Sequence, residues 1–137
     1  VAVHLPRPAE RSSSAYLRLE YRRAMEIAVV GAAASVVLAP DGTVTDLAVA
    51  ITAVAPTILS GRATGLQGVS VEAAAEQAAA FATSQASPIS DLRASEAYRR
   101  HTVGVMARRA LLAAARRAAG EHLPTPLNRT TGIGAAS

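Results

Sequence analysis

Three arginines, Arg18, Arg22 and Arg23, crowd into the stretch SAYLRLEYRRAMEIAVVG (residues 14–31), with Glu20 and Glu26 among them. A guanidinium is a planar fork of donors that matches carboxylate and phosphate oxygens two at a time. The cluster therefore admits three readings. It could be solubilising surface charge, an ion-pair clamp onto Glu20 or Glu26, or a site for an anionic group such as a pyrophosphate or the electron-rich edge of a cofactor. Composition does not choose among them. Strand alternation over 15–22 places Tyr16 and Arg18 on the face opposite Leu17 and Leu19.

Other chemistries find less support. The chain contains no cysteine, which removes disulfides, thiolate zinc sites, iron–sulfur ligation and thiol nucleophiles from its own repertoire. His4, His101 and His122 are far apart and have no i,i+4 partner, so they read as surface or packing residues rather than metal ligands or bases. GRATGLQG (61–68) has no lysine followed by Ser or Thr and is not a P-loop. No serine occupies a G-x-S-x-G elbow. No adjacent acidic pair is placed to share a proton.

Three arginine pairs, Arg99/Arg100, Arg108/Arg109 and Arg116/Arg117, raise the question of nucleic acid. At about 100° per residue they circle a helix axis instead of forming one basic face. Val103, Met106, Ala107, Ala110, Ala113 and Ala114 share a broad apolar side. With few aromatics to stack on bases, the pairs read as solvated surface, and nucleic-acid binding is not expected.

The elements that must position these residues follow from punctuation. Pro6 and Pro8 make residues 1–13 a linker or an arriving edge strand. Runs 27–38 and 43–53 flank Ala39-Pro40-Asp41-Gly42, a turn in which Pro presets φ and Gly accepts a positive value, so 27–53 reads as a β-hairpin. Gly31 inside the first run implies a bulge or a close approach. Residues 56–68 read as a connector with one short strand or turn. Ser70 caps a helix over 71–85 that Pro88 ends, and Ser90 or Asp91 caps a turn around Leu92. A long helix follows from Ser95 to Ala119, stopped by Gly120 and Pro124. Strands first and helices second give an α+β fold: an antiparallel sheet of three to four strands with helices on one face.

The bulk numbers agree with one domain. The chain has 137 residues, half of them apolar but only 3% aromatic, and a net charge of +4 carried on arginine alone. Arginine everywhere in place of lysine, beside so much alanine, reads as coding bias rather than selection on each guanidinium. The core is expected to be small and branched aliphatics, with Tyr16, Tyr21, Phe81 and Tyr98 as its only large rings. No apolar run reaches the roughly 18–20 residues of a membrane span, and no signal-peptide pattern opens the sequence, so a cytoplasmic protein is expected.

Three separated motifs then resemble one family in the right order: SAYLRLEYRRAMEIAVVGAAASVVL, DGTVTDLAVAITAVAPT and PISDLRASEAYRRHTVGVMARRALLAA. They resemble the C-terminal domain of the FAD-binding subunit of molybdenum hydroxylases, the xanthine dehydrogenase and aerobic carbon monoxide dehydrogenase group. The likeness runs from about Ser14 to Ala115. Glu26 stands where the family usually carries Asp, which keeps the charge and lengthens the reach. The resemblance implies that electrons leave substrate at a molybdenum cofactor, pass through [2Fe–2S] clusters and arrive at FAD. It also implies that most of the FAD is held by a preceding domain, and that residues 1–13 are the linker from it, 14–120 the domain and 121–137 a flexible tail. The iron–sulfur and molybdenum subunits would be partners, with a homo-oligomer left open. Arg18 would contact the flavin, and Arg22 and Arg23 would lie in the loop bordering its ring. Asp91, Arg93, Tyr98 and Arg99 are expected to form a structural network at the helix start. The alternative is a free-standing scaffold of the same fold that binds no flavin.

Overall fold

The computed structural model describes residues 1–3, 7–22 and 25–124. Four strands come first: β1 (Ser12–Leu19), β2 (Val30–Leu38), β3 (Val44–Thr52) and β4 (Leu59–Ala63). Two helices follow, α1 (Val71–Gln85) and α2 (Glu96–Ala118). The strands form one antiparallel sheet in the order β1-β2-β3-β4, each paired with its sequence neighbour. The fold is α+β, as the sequence implies.

The hairpin closes as its turn chemistry dictates. Asp41 Oδ1 accepts from the Thr43 amide at 3.0 Å and the Thr43 hydroxyl at 2.7 Å, while Gly42 takes a φ of +86°. These bonds fix a register in which Ala34 faces Val49 and Ala33 faces Ala50. The register shift lies at Val37/Leu38, so Gly31 is not a bulge.

Alternation sorts the sheet into two faces. Rows Leu17–Ala32–Ile51–Leu59 and Ser13–Val36–Leu47–Ala63 point inward, and both helices lie over this side, α2 across β1 and β2 and α1 against β3. The core is the aliphatic set expected, including Val30, Ile51, Val103 and Leu111, with alanines filling the seam between the helices. Alanine there lets the helices approach closely. At Gly104 an added Cβ would lie 2.5 Å from Thr83 Oγ1 and 3.3 Å from the Ala79 carbonyl oxygen on the facing helix.

Both helices begin where their caps predict. The Ser70 hydroxyl accepts from the Ala73 amide at 3.1 Å and the Ser95 hydroxyl from the Tyr98 amide at 3.2 Å. Among the described residues no helix is long and apolar enough to cross a membrane.

Several expectations need correcting. The first strand runs 12–19 rather than 15–22, so it begins inside the stretch read as linker. The connector holds the one short strand expected of it, and this strand covers what would otherwise be an open edge of β3. Tyr16, Tyr21 and Tyr98 are not core rings: each is about half exposed, since alternation or loop placement turns them outward. Only Phe81 packs against the core, over Gly61, whose missing side chain makes room for the ring. Arg99 does not belong to the solvated surface of α2 but is 5% exposed. His4 and the tail beyond Pro124 lie outside the described residues.

Candidate functional site

Among the described residues, the outer face of the sheet is not covered by either helix. Its rows are Ser14–Ser35–Ala48–Arg62, Tyr16–Ala33–Ala50–Ser60 and Arg18–Gly31–Thr52. Most of these side chains are small, so Tyr16 and Arg18 stand out from a low surface. Gly31 explains the relief. A Cβ built there would lie 2.7 Å from the Tyr16 hydroxyl and 2.5 Å from Thr52 Oγ1, so the ring leans across the glycine toward the threonine. The result is a phenol and a threonine hydroxyl lying over the buried Gly31 backbone, with a guanidinium beside them near the end of β1. Such a surface can take the face of a planar group and a negative edge beside it.

The three expected site residues are placed differently. Arg18 projects from the outer face and pairs with Glu20. Arg22, in the connection from β1 to β2, donates from Nε to Glu26 Oε2 at 3.0 Å and keeps 72% of its side chain exposed. Arg23 lies outside the described residues. The clamp onto Glu20 and Glu26 is thus realised for two of the three arginines, and the longer reach of Glu26 is used. Its other oxygen stands 3.8 Å from Arg93 Nε.

Behind this loop lies a buried hub. Arg99 donates through NH2 to both oxygens of Asp91 at 2.8 and 2.9 Å, and through NH1 to the carbonyls of Val29 at 2.5 Å and Ala53 at 3.2 Å. One side chain therefore ties the entry to β2, the exit from β3 and the turn before α2. Its Nε is buried and has no hydrogen-bond partner among the described residues. The Arg99 guanidinium, followed by the Arg93 amide, holds the Asp91 carboxyl down from 3.8 to about 2. Asp91 Oδ1 also accepts from the amides of Arg93 and Ala94, at 2.8 and 3.1 Å, making the turn expected around Leu92. The expected helix-start network exists, but Tyr98 enters it only through its backbone, taking the cap bond and accepting from the Thr102 hydroxyl at 2.7 Å. Beside the hub is a cavity of about 320 Å³, walled by Ile27, Ala53, Pro56, Pro88 and Ile89, with Asp91 and Arg99 as its polar side.

Four of the other helix arginines are engaged within the domain, Arg117 donating to the Ser14 carbonyl of β1 at 3.0 Å. Arg100 reaches Glu96 and the Ala86 carbonyl, Arg108 reaches Glu76 across to α1, and Arg116 reaches Glu121. Tyr16 and Thr52 were not anticipated at the site. The signal for Tyr16 is its parity with Arg18 on the face away from Leu17. For Thr52 the signal is its register opposite Gly31, which only strand pairing reveals.

The chain is a four-stranded antiparallel meander backed by two helices, with Tyr16, Arg18 and Thr52 on its outer side. The chain belongs to the family described as the CO dehydrogenase flavoprotein C-terminal domain, whose profile matches residues 15–114. It is a C-terminal domain of the FAD-binding subunit of molybdenum hydroxylases. A chain of the reconstituted CO dehydrogenase from Oligotropha carboxidovorans superposes with a TM-score of 0.71 at 29% identity, covering 82% of this chain and 40% of that one. For the CO dehydrogenase from Hydrogenophaga pseudoflava that lacks the Mo-pyranopterin moiety of its molybdenum cofactor, the values are 0.65, 30%, 82% and 40%. For quinoline 2-oxidoreductase from Pseudomonas putida 86 they are 0.65, 26%, 83% and 40%. The chain thus spans about 40% of the length of the solved chains it resembles. No curated protein is significantly similar in sequence.

Proposed function

We propose that this domain covers one side of an FAD held mainly by a preceding domain, in an oxidoreductase that passes electrons from a molybdenum cofactor through [2Fe–2S] clusters to the flavin. The molybdenum cofactor and the clusters reside in partner subunits, and the assembly works in the cytoplasm. The observation that carries this reading is the outer sheet face with Tyr16, Arg18 and Thr52 around Gly31, on a chain of this family. When bound, the flavin accepts electrons and releases them to an acceptor. This chain's own residues do the rest. Tyr16 offers an aromatic surface and a hydroxyl, Thr52 a second hydroxyl, and Arg18 a positive charge. Arg22 adds a further positive charge in the adjoining loop. A cation beside a flavin stabilises its reduced, more negative form and raises its potential.

The test is Arg18→Ala in the full-length subunit, read by reductive titration and by FAD affinity. Arg18 is shared with Glu20 and partly solvated, so its influence is screened. The midpoint potential is expected to fall by roughly 10–30 mV, equivalent to about 0.5–1.4 kcal/mol for two electrons. An unchanged potential and affinity would overturn the reading and favour a flavin-free scaffold.

A further inference from the structure

In the connection between β1 and β2, the described residues Tyr21, Arg22, Met25 and Ile27 are exposed. Met25 is almost fully exposed with φ +51°, and Tyr21 and Ile27 are more than half exposed. A segment so poor in buried contacts should drift, because little apolar area holds it. Among the described residues its outer part is held from a single place, the turn before α2. The Tyr21 hydroxyl donates to the Arg93 carbonyl oxygen, 72 residues away in sequence. The Arg93 guanidinium stands 3.8 Å from Glu26 on one side and 3.5 Å from Asp91 on the other. Glu26 in turn holds Arg22 at 3.0 Å. Asp91 is anchored to the buried Arg99, and Arg99 also grips the carbonyl of Val29 where the loop rejoins the sheet. The charges alternate along Arg22, Glu26, Arg93, Asp91 and Arg99, a ladder from the exposed loop tip to the core.

We propose that Arg93 is a positioning residue: it fixes Tyr21, Arg22 and Glu26 against the turn before α2 and so sets where Arg22 and Ile27 stand relative to the flavin. This rests on the flavin-facing reading above. The ladder suits that task because its rungs are polar and partly solvated. Such pairs contribute little to global stability, yet they decide the geometry of a segment that has no core of its own.

The test is Arg93→Ala in the full-length flavin-bearing subunit, with Arg93→Lys as the conservative variant and Tyr21→Phe as an independent cut of the same tether. Three quantities are read: the thermal midpoint, the rate of tryptic cleavage at Arg22 and Arg23, and the flavin midpoint potential. For Arg93→Ala, cleavage is expected to accelerate about threefold to tenfold, as loss of weak tethers shifts a local opening equilibrium. The thermal midpoint should scarcely move, and the potential should shift. Tyr21→Phe should accelerate cleavage in the same direction. Arg93→Lys should restore both protection and potential in large part. Unchanged cleavage in both Arg93→Ala and Tyr21→Phe would overturn the proposal. Faster cleavage with an unchanged potential, in a subunit where Arg18→Ala does shift it, would also overturn it while leaving the flavin reading intact. If neither Arg18→Ala nor Arg93→Ala affects the flavin, the flavin reading fails, and with it the purpose assigned to the tether, whatever the cleavage rate.

Discussion

Replacing Arg99 with Met tests the hub that joins three segments of the fold. Met matches the length of the arginine stem and keeps its apolar packing, so the change isolates the guanidinium. The losses are the hydrogen bonds to the Val29 and Ala53 carbonyls and the fork on Asp91. A charge-assisted bond to a buried carbonyl contributes about 1.5–3 kcal/mol. The Asp91 arm is discounted, because that carboxylate keeps solvent contact and can rehydrate. Removing the desolvated, unpartnered Nε returns part of the loss. A net destabilisation of about 3 kcal/mol follows. For a domain of this size that is a fall in Tm of roughly 10 °C. Urea and thermal unfolding followed by circular dichroism measure it directly. Arg99→Lys should recover only part, since a single ammonium cannot serve the fork and both carbonyls. A loss below about 1 kcal/mol for Arg99→Met would refute the reasoning: the guanidinium would then be no better than an apolar filler, as some buried ion pairs are.

Asp91 predicts an acid limb. Its folded carboxyl titrates near 2 against an ordinary 3.8, so its contribution is complete above about pH 4 and disappears as pH falls toward 2. The Tm difference between the parent and Asp91→Asn should shrink over that interval; a difference constant from pH 5 to about 2 would contradict the assignment. At Gly31 the new Cβ meets first the Thr52 hydroxyl and the hydroxyl and ring edge of Tyr16, side chains on the outer face that can turn aside, while a β-strand backbone gains from losing a glycine. Gly31→Ala should therefore change stability by less than about 1 kcal/mol yet displace the Tyr16 ring and weaken FAD binding in the full-length subunit. A large loss of stability would show that the strand, not the ring, yields. Gly104→Val, by contrast, presses on Thr83 and the Ala79 carbonyl between two packed helices and should cost about 1–3 kcal/mol in urea unfolding.

Most of the fold could be read before any coordinates, because local chemistry and tertiary demand agree. Ser70 and Ser95 cap the helices they announce, and Pro40-Asp41-Gly42 closes the hairpin it announces. β4 was legible only as a possible short strand, since the alternation of LSGRA spans just five residues and the strand is specified by the β3 edge it covers. The tyrosines misled because ring size argues for burial, whereas position decides: Tyr16 faces out by strand parity and Tyr21 by its place in a loop. Arg99 misled for the opposite reason. On a wheel it is one charge among six, and only the carbonyls of Val29 and Ala53, distant in sequence, make its burial tolerable. The candidate site was half legible. The pairing partners of Arg18 and Arg22 are close in sequence, but the companionship of Tyr16, Gly31 and Thr52 exists only across three strands.

The most direct measurement of the central claim is hydroxyl-radical footprinting of the full-length subunit with and without FAD. Tyr16 is half exposed on the outer face, and His101 is exposed on α2, in the layer behind the sheet. Oxidation of Tyr16 is expected to fall several-fold when FAD is bound while oxidation of His101 stays the same. Equal oxidation of Tyr16 in the two states would contradict the claim that this face covers the flavin.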